Sequence, residues 1–382
     1  MKNIVVLGST GSVGKKVLEV VRDFPQQFKV VGLSCNSNIE ILEEQIKEFQ
    51  PQLAVVSDGQ KYKELKKRVK GCKISSEKEG LIELATLEDA DCVVFSMSGI
   101  NSLISLLEAI ENRKQIILAN KELLVVAGKI ITQKTKEKQI KILPIDSEQS
   151  AIFQCLEGKK KQEVNKIFLT ASGGALNKLT KEKLVAVSPQ TVLNHPKWSM
   201  GRKITVDSAT LINKGLELIE TKYLFDIETE KIEILIHPEV IIHSMVEFID
   251  GSVIAQLGIT DMRLPIQYAL GYPQRLPAES FIDFKQISPL SFEPPDEKRF
   301  PSLALVREAE KRGGTTLAVL NAADEVAVEA FIKEKIKFTD ITEIIEKVIN
   351  RHSPLDDNKI DNILWADEWG REEARKIIEM TN

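Results

Sequence analysis

From residue 1 to about 146, short β-branched runs alternate with stretches of helical character: Ile4 to Leu7, Lys29 to Leu33, Leu53 to Val56, Cys92 to Phe95, Ile116 to Leu118 and Ile140 to Ile145. Parallel strands need a crossover long enough to hold a helix, so this rhythm commits the chain to βαβ units. The runs are apolar at consecutive rather than alternate positions, as strands are when helices cover both faces of the sheet. The fold class read from this is α/β, with a Rossmann-like doubly wound parallel sheet over residues 1–146.

Beyond that point the pattern changes. Residues 147–274 hold a Gly/Ser/Pro-punctuated stretch at 170–201, a helical segment after Ser208, and two β-rich runs, 240–249 and 252–257, around Asp250-Gly251. An Asp-Gly pair between such runs is a two-residue hairpin signal, so this part reads as a central α+β domain built with antiparallel strands. Pro277, Pro289, Pro294, Pro295 and Pro301 make 275–301 an extended connector. Periodic apolar residues such as Leu303, Val306, Leu317, Leu320, Ile344, Val348 and Ile377 make 302–382 a small domain of three or four short helices.

Length and charge narrow the function. At roughly 150 residues per domain, 382 residues suit such a multidomain chain. With 52 Lys plus Arg against 56 Asp plus Glu, the net charge of −4 argues against a nucleic-acid partner. No apolar run approaches the ~18 residues that cross a bilayer. The opening run Ile4 to Leu7 is shorter than the roughly 7 to 15 residues of a secretory core. The expectation is a cytoplasmic protein without a membrane partner, whose Cys35, Cys72, Cys92 and Cys155 lack zinc-like spacing and serve as small buried hydrophobes.

The first strand runs into Gly8-Ser9-Thr10-Gly11-Ser12-Val13-Gly14, followed by Val17, Val20 and Val21 at helical spacing. Glycines there let the backbone turn sharply and approach a pyrophosphate at a helix N-terminus. The G-x-x-G-x-x-G spacing suits a dinucleotide but also an ordinary strand-to-helix turn. After the second strand, where NAD-selective domains place an acid, come Asn36-Ser37-Asn38. Neutral Ser37 and Asn38 lean toward NADPH, without a cation to reinforce the preference.

Asp146 and Glu148 follow the last strand of the sheet. If the extended conformation lasts through 148, both carboxylates point to one side and call for a hard divalent cation between them. The alternative is an N-cap with an acid in the first turn of a helix. In 207–220, Asn213, Glu217 and Glu220 share a helix face with Lys214, opposite the apolar Leu211, Ile212, Leu216, Leu218 and Ile219. That strip is either a solvent face or a pocket wall. Thr170 to Gly174 offers hydroxyls and open amides to an oxyanion. His195 to Gly201, with Trp198 and Met200, lacks helical or strand periodicity and reads as a ligand-closing lid or as a packed surface loop.

In sum these motifs resemble the 1-deoxy-D-xylulose-5-phosphate reductoisomerase family over nearly the whole chain. The matching segments are 8–14, 118–122, 144–148, 170–174, 195–203, 207–220, Met262 to Tyr268 and Asn321 to Ala327. The resemblance implies metal ligands at Asp146, Glu148 and Glu217, and phosphate contacts at Ser172, Ser208, Asn213 and Lys214. It implies further substrate contacts at Ser147, His195, Trp198 and Met262. NADPH would lie along residues 8–14, Ser37, Asn38, Asn120, Lys121, Glu122 and Gly201. Proton movement would fall to Glu148, Glu217, Glu220 or Lys121.

The implied chemistry is rearrangement and reduction of a phosphorylated sugar, with NADPH and Mg2+, Mn2+ or Co2+, by a homodimer. Asn36-Ser37-Asn38 stands where the family often has Gly-Lys-Asn, Ala175-Leu176 replaces a common Pro-Phe, and Asp324 replaces a common Asn. Two other readings are an NAD(P)-dependent dehydrogenase of another small phosphorylated carbonyl compound and a non-catalytic NADPH-sensing protein. Metal dependence and turnover separate them from the first.

Overall fold

The computed structural model describes residues 1–194, 201–287 and 289–381. The chain forms two compact units, one of Met1–Leu123, Ile131–Ser150 and Asp261–Ser280, the other of Leu124–Ile130, Ala151–Thr260 and Phe281 onward.

The first unit is built on seven parallel strands, β1 Lys2–Leu7, β2 Phe28–Cys35, β3 Leu53–Val56, β4 Lys73–Ser76, β5 Cys92–Phe95, β6 Gln115–Leu118 and β7 Ile142–Pro144. They lie in the order β4-β3-β2-β1-β5-β6-β7. The strand order reverses between β1 and β5, where Ile4 stands opposite Cys92 and Leu7 opposite Phe95. In doubly wound sheets the ligand crevice lies beyond the carboxyl ends of the strands at such a reversal. Ile4, Val5, Val6, Leu7, Val93 and Val94 have no exposed surface, as expected of strands covered on both faces.

Two details depart from the sequence reading. β4 carries no apolar run, because an edge strand here buries only Ile74. β7 is shorter than 140–145: it stops at Pro144, and a helix takes over at Ser147.

The second unit holds a four-stranded sheet of β8 Val164–Ala171, β9 Ile232–Ile236, β10 Ile242–Phe248 and β11 Val253–Leu257, in the order β11-β10-β8-β9. The Asp250-Gly251 hairpin forms between β10 and β11. Gly251 adopts φ +81°, and the Asp250 carboxylate accepts from the Ser252 amide at 3.0 Å. The sheet is mixed rather than antiparallel, since β9 runs parallel to β8 after the long helical crossover between them.

Among the described residues of 273–301 there is no helix or strand, only a bridge between Ile236 and Glu293. Four helices follow, Ser302–Arg312, Thr316–Ile332, Asp340–Arg351 and Ile360–Thr381. The last spans 22 residues, longer than the short helices expected.

Candidate active site

The turn after β1 is held in its shape by close packing. Gly8 has φ +87°, and a Cβ there would lie 2.9 Å from the Ser96 carbonyl oxygen, so only glycine fits. A Cβ on Gly14 would collide with the Gly8 carbonyl oxygen. Ser9 is buried: its hydroxyl donates to the Gln45 side chain at 2.7 Å, and its amide to the Ser34 carbonyl at 2.8 Å. Ser9 therefore ties the turn to its neighbours, and the Gly11 amide closes it by donating to the Gly8 carbonyl at 3.1 Å, with Gly11 and Ser12 exposed where the helix Ser12–Asp23 begins. At the end of β2, Ser37 and Asn38 are exposed. The Asn38 side-chain Oδ1 caps the helix Ile39–Phe49 by accepting from the Ile41 amide at 3.3 Å.

A second group forms where β6 and β7 end. Asn120 is buried ahead of the helix that begins at Lys121, and its amide nitrogen donates to the carbonyls of Met97 and Gly99, the latter at 2.8 Å. Its side-chain oxygen is buried without a hydrogen-bond partner among the described residues. The Lys121 ammonium pairs with the Asp146 carboxylate, the two side chains 6% and 11% exposed. Burial pushes the Asp146 carboxyl above its ordinary range, the Glu148 charge pushes it further, and Lys121 opposes both. Glu148 accepts from the Ser147 hydroxyl at 2.6 Å.

Extended backbone through 148 is not what brings the two acids together. Asp146 precedes a helix, Ser147–Leu156, and Glu148 sits in its first turn, yet ligand oxygens of the two lie within 4.8 Å of each other. Glu122 is half-buried in the first turn of its helix, and Met262 precedes the helix Arg263–Gly271.

In the second unit, β8 ends in a turn in which the Gly174 amide donates to the Ser172 hydroxyl at 3.2 Å. Gly174 has φ +66°, and a Cβ on it would lie 2.6 Å from the Ser208 carbonyl oxygen, so this turn rests directly on the helix Arg202–Thr210. Ser208 lies inside that helix rather than ahead of one. The helix ends at Leu211, which takes φ +64°, and a second helix runs Ile212–Phe225. Within the latter, Asn213 and Lys214 both donate to the Glu217 carboxylate. Lys214, Glu217 and Glu220 are all buried, so the polar strip is not a solvent face.

Gly201 is the N-cap of the helix Arg202–Thr210. His195, Trp198 and Met200 lie outside the described residues, and with them most of the expected lid. Just ahead of it, Pro189–Val192 forms a helical turn. Cys35, Cys92 and Cys155 are buried and Cys72 partly so. Burial pushes the Cys35 and Cys92 thiols up to about 12, which leaves them protonated near neutral pH.

Sequence reasoning missed one cluster. Lys203 pairs with Asp207 and also with Asp324, 121 positions away, and no local pattern marks such a pair.

These features match the groups that the sequence implies. The turn at Gly8 packs so closely on the Ser96 backbone that it leaves no space for a side chain, as suits a backbone turn that takes a phosphate. The orphaned Asn120 oxygen is an acceptor suited to a carboxamide. Two adjacent carboxylates form a hard oxygen donor set of the kind divalent cations take.

Comparison with known proteins agrees. Residues 4–128 match the family model for 1-deoxy-D-xylulose 5-phosphate reductoisomerase, 142–225 its C-terminal domain, and 257–373 the DXP reductoisomerase C-terminal domain. The chain is 49% identical over 379 residues to the 1-deoxy-D-xylulose 5-phosphate reductoisomerase of Thermodesulfovibrio yellowstonii, covering 99% of this chain and 100% of that one. A crystal structure of DOX-P reductoisomerase in complex with NADPH, fosmidomycin and magnesium is similar at TM-score 0.96 and 38% identity, covering 100% of this chain and 99% of that one. The Zymomonas mobilis enzyme in complex with NADPH is similar at TM-score 0.92 and 38% identity, covering 99% of each chain.

Proposed function

The chain belongs to the 1-deoxy-D-xylulose 5-phosphate reductoisomerase family, and from that premise we propose how its residues carry the family's reaction. That reaction is the NADPH- and divalent-metal-dependent conversion of 1-deoxy-D-xylulose 5-phosphate to 2-C-methyl-D-erythritol 4-phosphate. Asp146, Glu148 and Glu217 hold the cation. The turn from Gly8 to Gly14 takes the cofactor pyrophosphate, Ser37 and Asn38 its ribose phosphate, and Asn120, Lys121, Glu122 and Gly201 its nicotinamide half. Ser172, Ser208, Asn213 and Lys214 take the substrate phosphate, while Ser147, His195, Trp198 and Met262 surround the carbon skeleton. Apart from Asp146, which serves the metal, and Gly201, which serves the cofactor, residues 1–146 form the cofactor domain and 147–274 the metal and substrate domain, with 275–301 connecting to the helical 302–382.

The observation that carries this reading is the pair of adjacent acids, Asp146 and Glu148, kept in a largely buried place beside the Lys121 ammonium. When bound, the cation polarises the substrate carbonyl and the cofactor supplies hydride. Lys121 opposes the upward push that burial exerts on the Asp146 carboxyl, and it is a proton carrier alongside Glu148 and Glu220. Asn213 and Lys214, which hold Glu217, orient that carboxylate. Contacts to the phosphate supply binding energy remote from the reacting carbons, which the enzyme spends on positioning them.

Oxidation of NADPH with 1-deoxy-D-xylulose 5-phosphate, followed with and without a chelator, tests the reading. Turnover must vanish with the chelator and return with added Mg2+ or Mn2+, and undiminished turnover in excess chelator refutes it. No helix among the described residues is long and apolar enough to cross a membrane. We assign the enzyme to the cytoplasm and to a homodimer, with edge strand β11 and its exposed Val253 and Ile254 as the pairing surface. Sedimentation of the Ile254→Lys variant as a monomer would support that surface.

A further inference from the structure

Lys203, on the helix Arg202–Thr210, places its ammonium 2.6 Å from a carboxylate oxygen of Asp207, one turn along the same helix. The same ammonium lies 2.6 Å from a carboxylate oxygen of Asp324, on the helix Thr316–Ile332. The side chains of Asp207 and Asp324 are 3% and 0% exposed, that of Lys203 23%. Burial pushes the Asp324 carboxyl above its ordinary range against the pull of Lys203, and the neighbouring Glu325 pushes the same way. Its second oxygen is buried without a hydrogen-bond partner among the described residues.

Taking carboxylates out of water is costly, and apolar residues of similar volume usually serve stability as well or better. The arrangement is better explained by what it holds in place. An ion pair between positions four apart on one helix fixes nothing outside that helix. Asp324 turns it into a tie between two helices. The residue after Asp207 is Ser208, and Gly174 approaches it so closely that a Cβ would lie 2.6 Å from the Ser208 carbonyl oxygen. The spacing between Ser208 and the turn holding Ser172 therefore follows the register of the helix Arg202–Thr210.

We propose that Asp324 is a positioning residue for the phosphate end of the substrate: through Lys203 it fixes the helix that carries Ser208 against the Ser172–Gly174 turn. This rests on the assignment of Ser172 and Ser208 to the phosphate made above. Asparagine at 324 retains an acceptor for Lys203 and preserves the tie, whereas leucine fills the space and removes it.

The test compares the full-length parent with Asp324→Leu and Asp324→Asn. Inorganic phosphate is titrated calorimetrically, and KM and kcat are measured for 1-deoxy-D-xylulose 5-phosphate, with the KM for NADPH and the melting temperature as controls. Asp324→Leu should weaken phosphate binding and raise the substrate KM by the same factor, on the order of tenfold, with kcat and the NADPH KM within about threefold of the parent. Asp324→Asn should stay within about threefold throughout. Should Asp324→Leu fail to fold, Asp324→Ala, which also removes the tie and leaves Lys203 paired with Asp207, carries the same expectations. A folded leucine variant with parental phosphate affinity and KM overturns the proposal, and so does an asparagine variant as impaired as the leucine one. A parent that binds phosphate but turns over no substrate refutes the functional reading instead, and the phosphate titrations still decide the role of Asp324.

Discussion

Replacing Lys121 with methionine keeps an aliphatic stem of similar length and deletes the charge facing Asp146. The two side chains are 6% and 11% exposed, so the carboxylate left behind cannot simply turn to water. Breaking a buried pair from one side costs about 3–5 kcal/mol. In a folding unit of the size of the first one, each kcal/mol moves Tm by about 2–4 °C. The metal-free Lys121→Met protein should therefore melt roughly 10 °C below the parent.

A divalent cation at Asp146 and Glu148 supplies the positive charge that Lys121 provided. At about a hundred times its Kd it returns about 2.7 kcal/mol, a large part of the loss. In the parent the same cation must compete with the ammonium for Asp146, so its stabilisation is smaller. Scanning calorimetry of both proteins, after chelation and after addition of Mg2+, reads all four values. Equal melting temperatures without metal would show that the pair contributes nothing. A variant that gains no more from Mg2+ than the parent would show that the cation does not sit on these acids.

Gly8→Ala forces a side chain into a left-handed backbone that costs about 1–2 kcal/mol and against the Ser96 carbonyl 2.9 Å away, so NADPH affinity measured by fluorescence should fall at least about tenfold. Ser37→Asp brings a like charge to the cofactor's 2′-phosphate and should shift the ratio of kcat/KM values from NADPH toward NADH; an unchanged ratio places that phosphate elsewhere. Glu217→Gln should remove most turnover while the Kd for NADPH stays at the parental value, because the turn from Gly8 to Gly14 proposed for its pyrophosphate belongs to the first unit. Asp324 contributes stability that is fully present below its unfolded pKa of about 3.9 and lost as pH rises through its raised folded value, so urea midpoints should show Asp324→Asn gaining on the parent as pH rises above about 4.

Local pattern carries most of the architecture of this chain. Strand and helix periods, the glycines of the first turn and the Asp250-Gly251 hairpin all act over a few residues, and each is legible wherever covering elements force an apolar run or a turn demands φ above zero. β4 escaped because a strand at the edge buries only Ile74, which leaves no run to read. Asp146 and Glu148 were recognisable as a pair, but their geometry was set where β7 stops at Pro144 and a helix begins, a boundary with competing local signals on both sides.

The tertiary structure alone decided that the strip of Lys214, Glu217 and Glu220 is buried, since a helix with polar residues on one face reads the same whether water or protein covers that face. It alone joined Lys203 to Asp324. Contacts between residues 121 positions apart leave no period in the sequence, and the charges pair only because folding removes both from water at the same place.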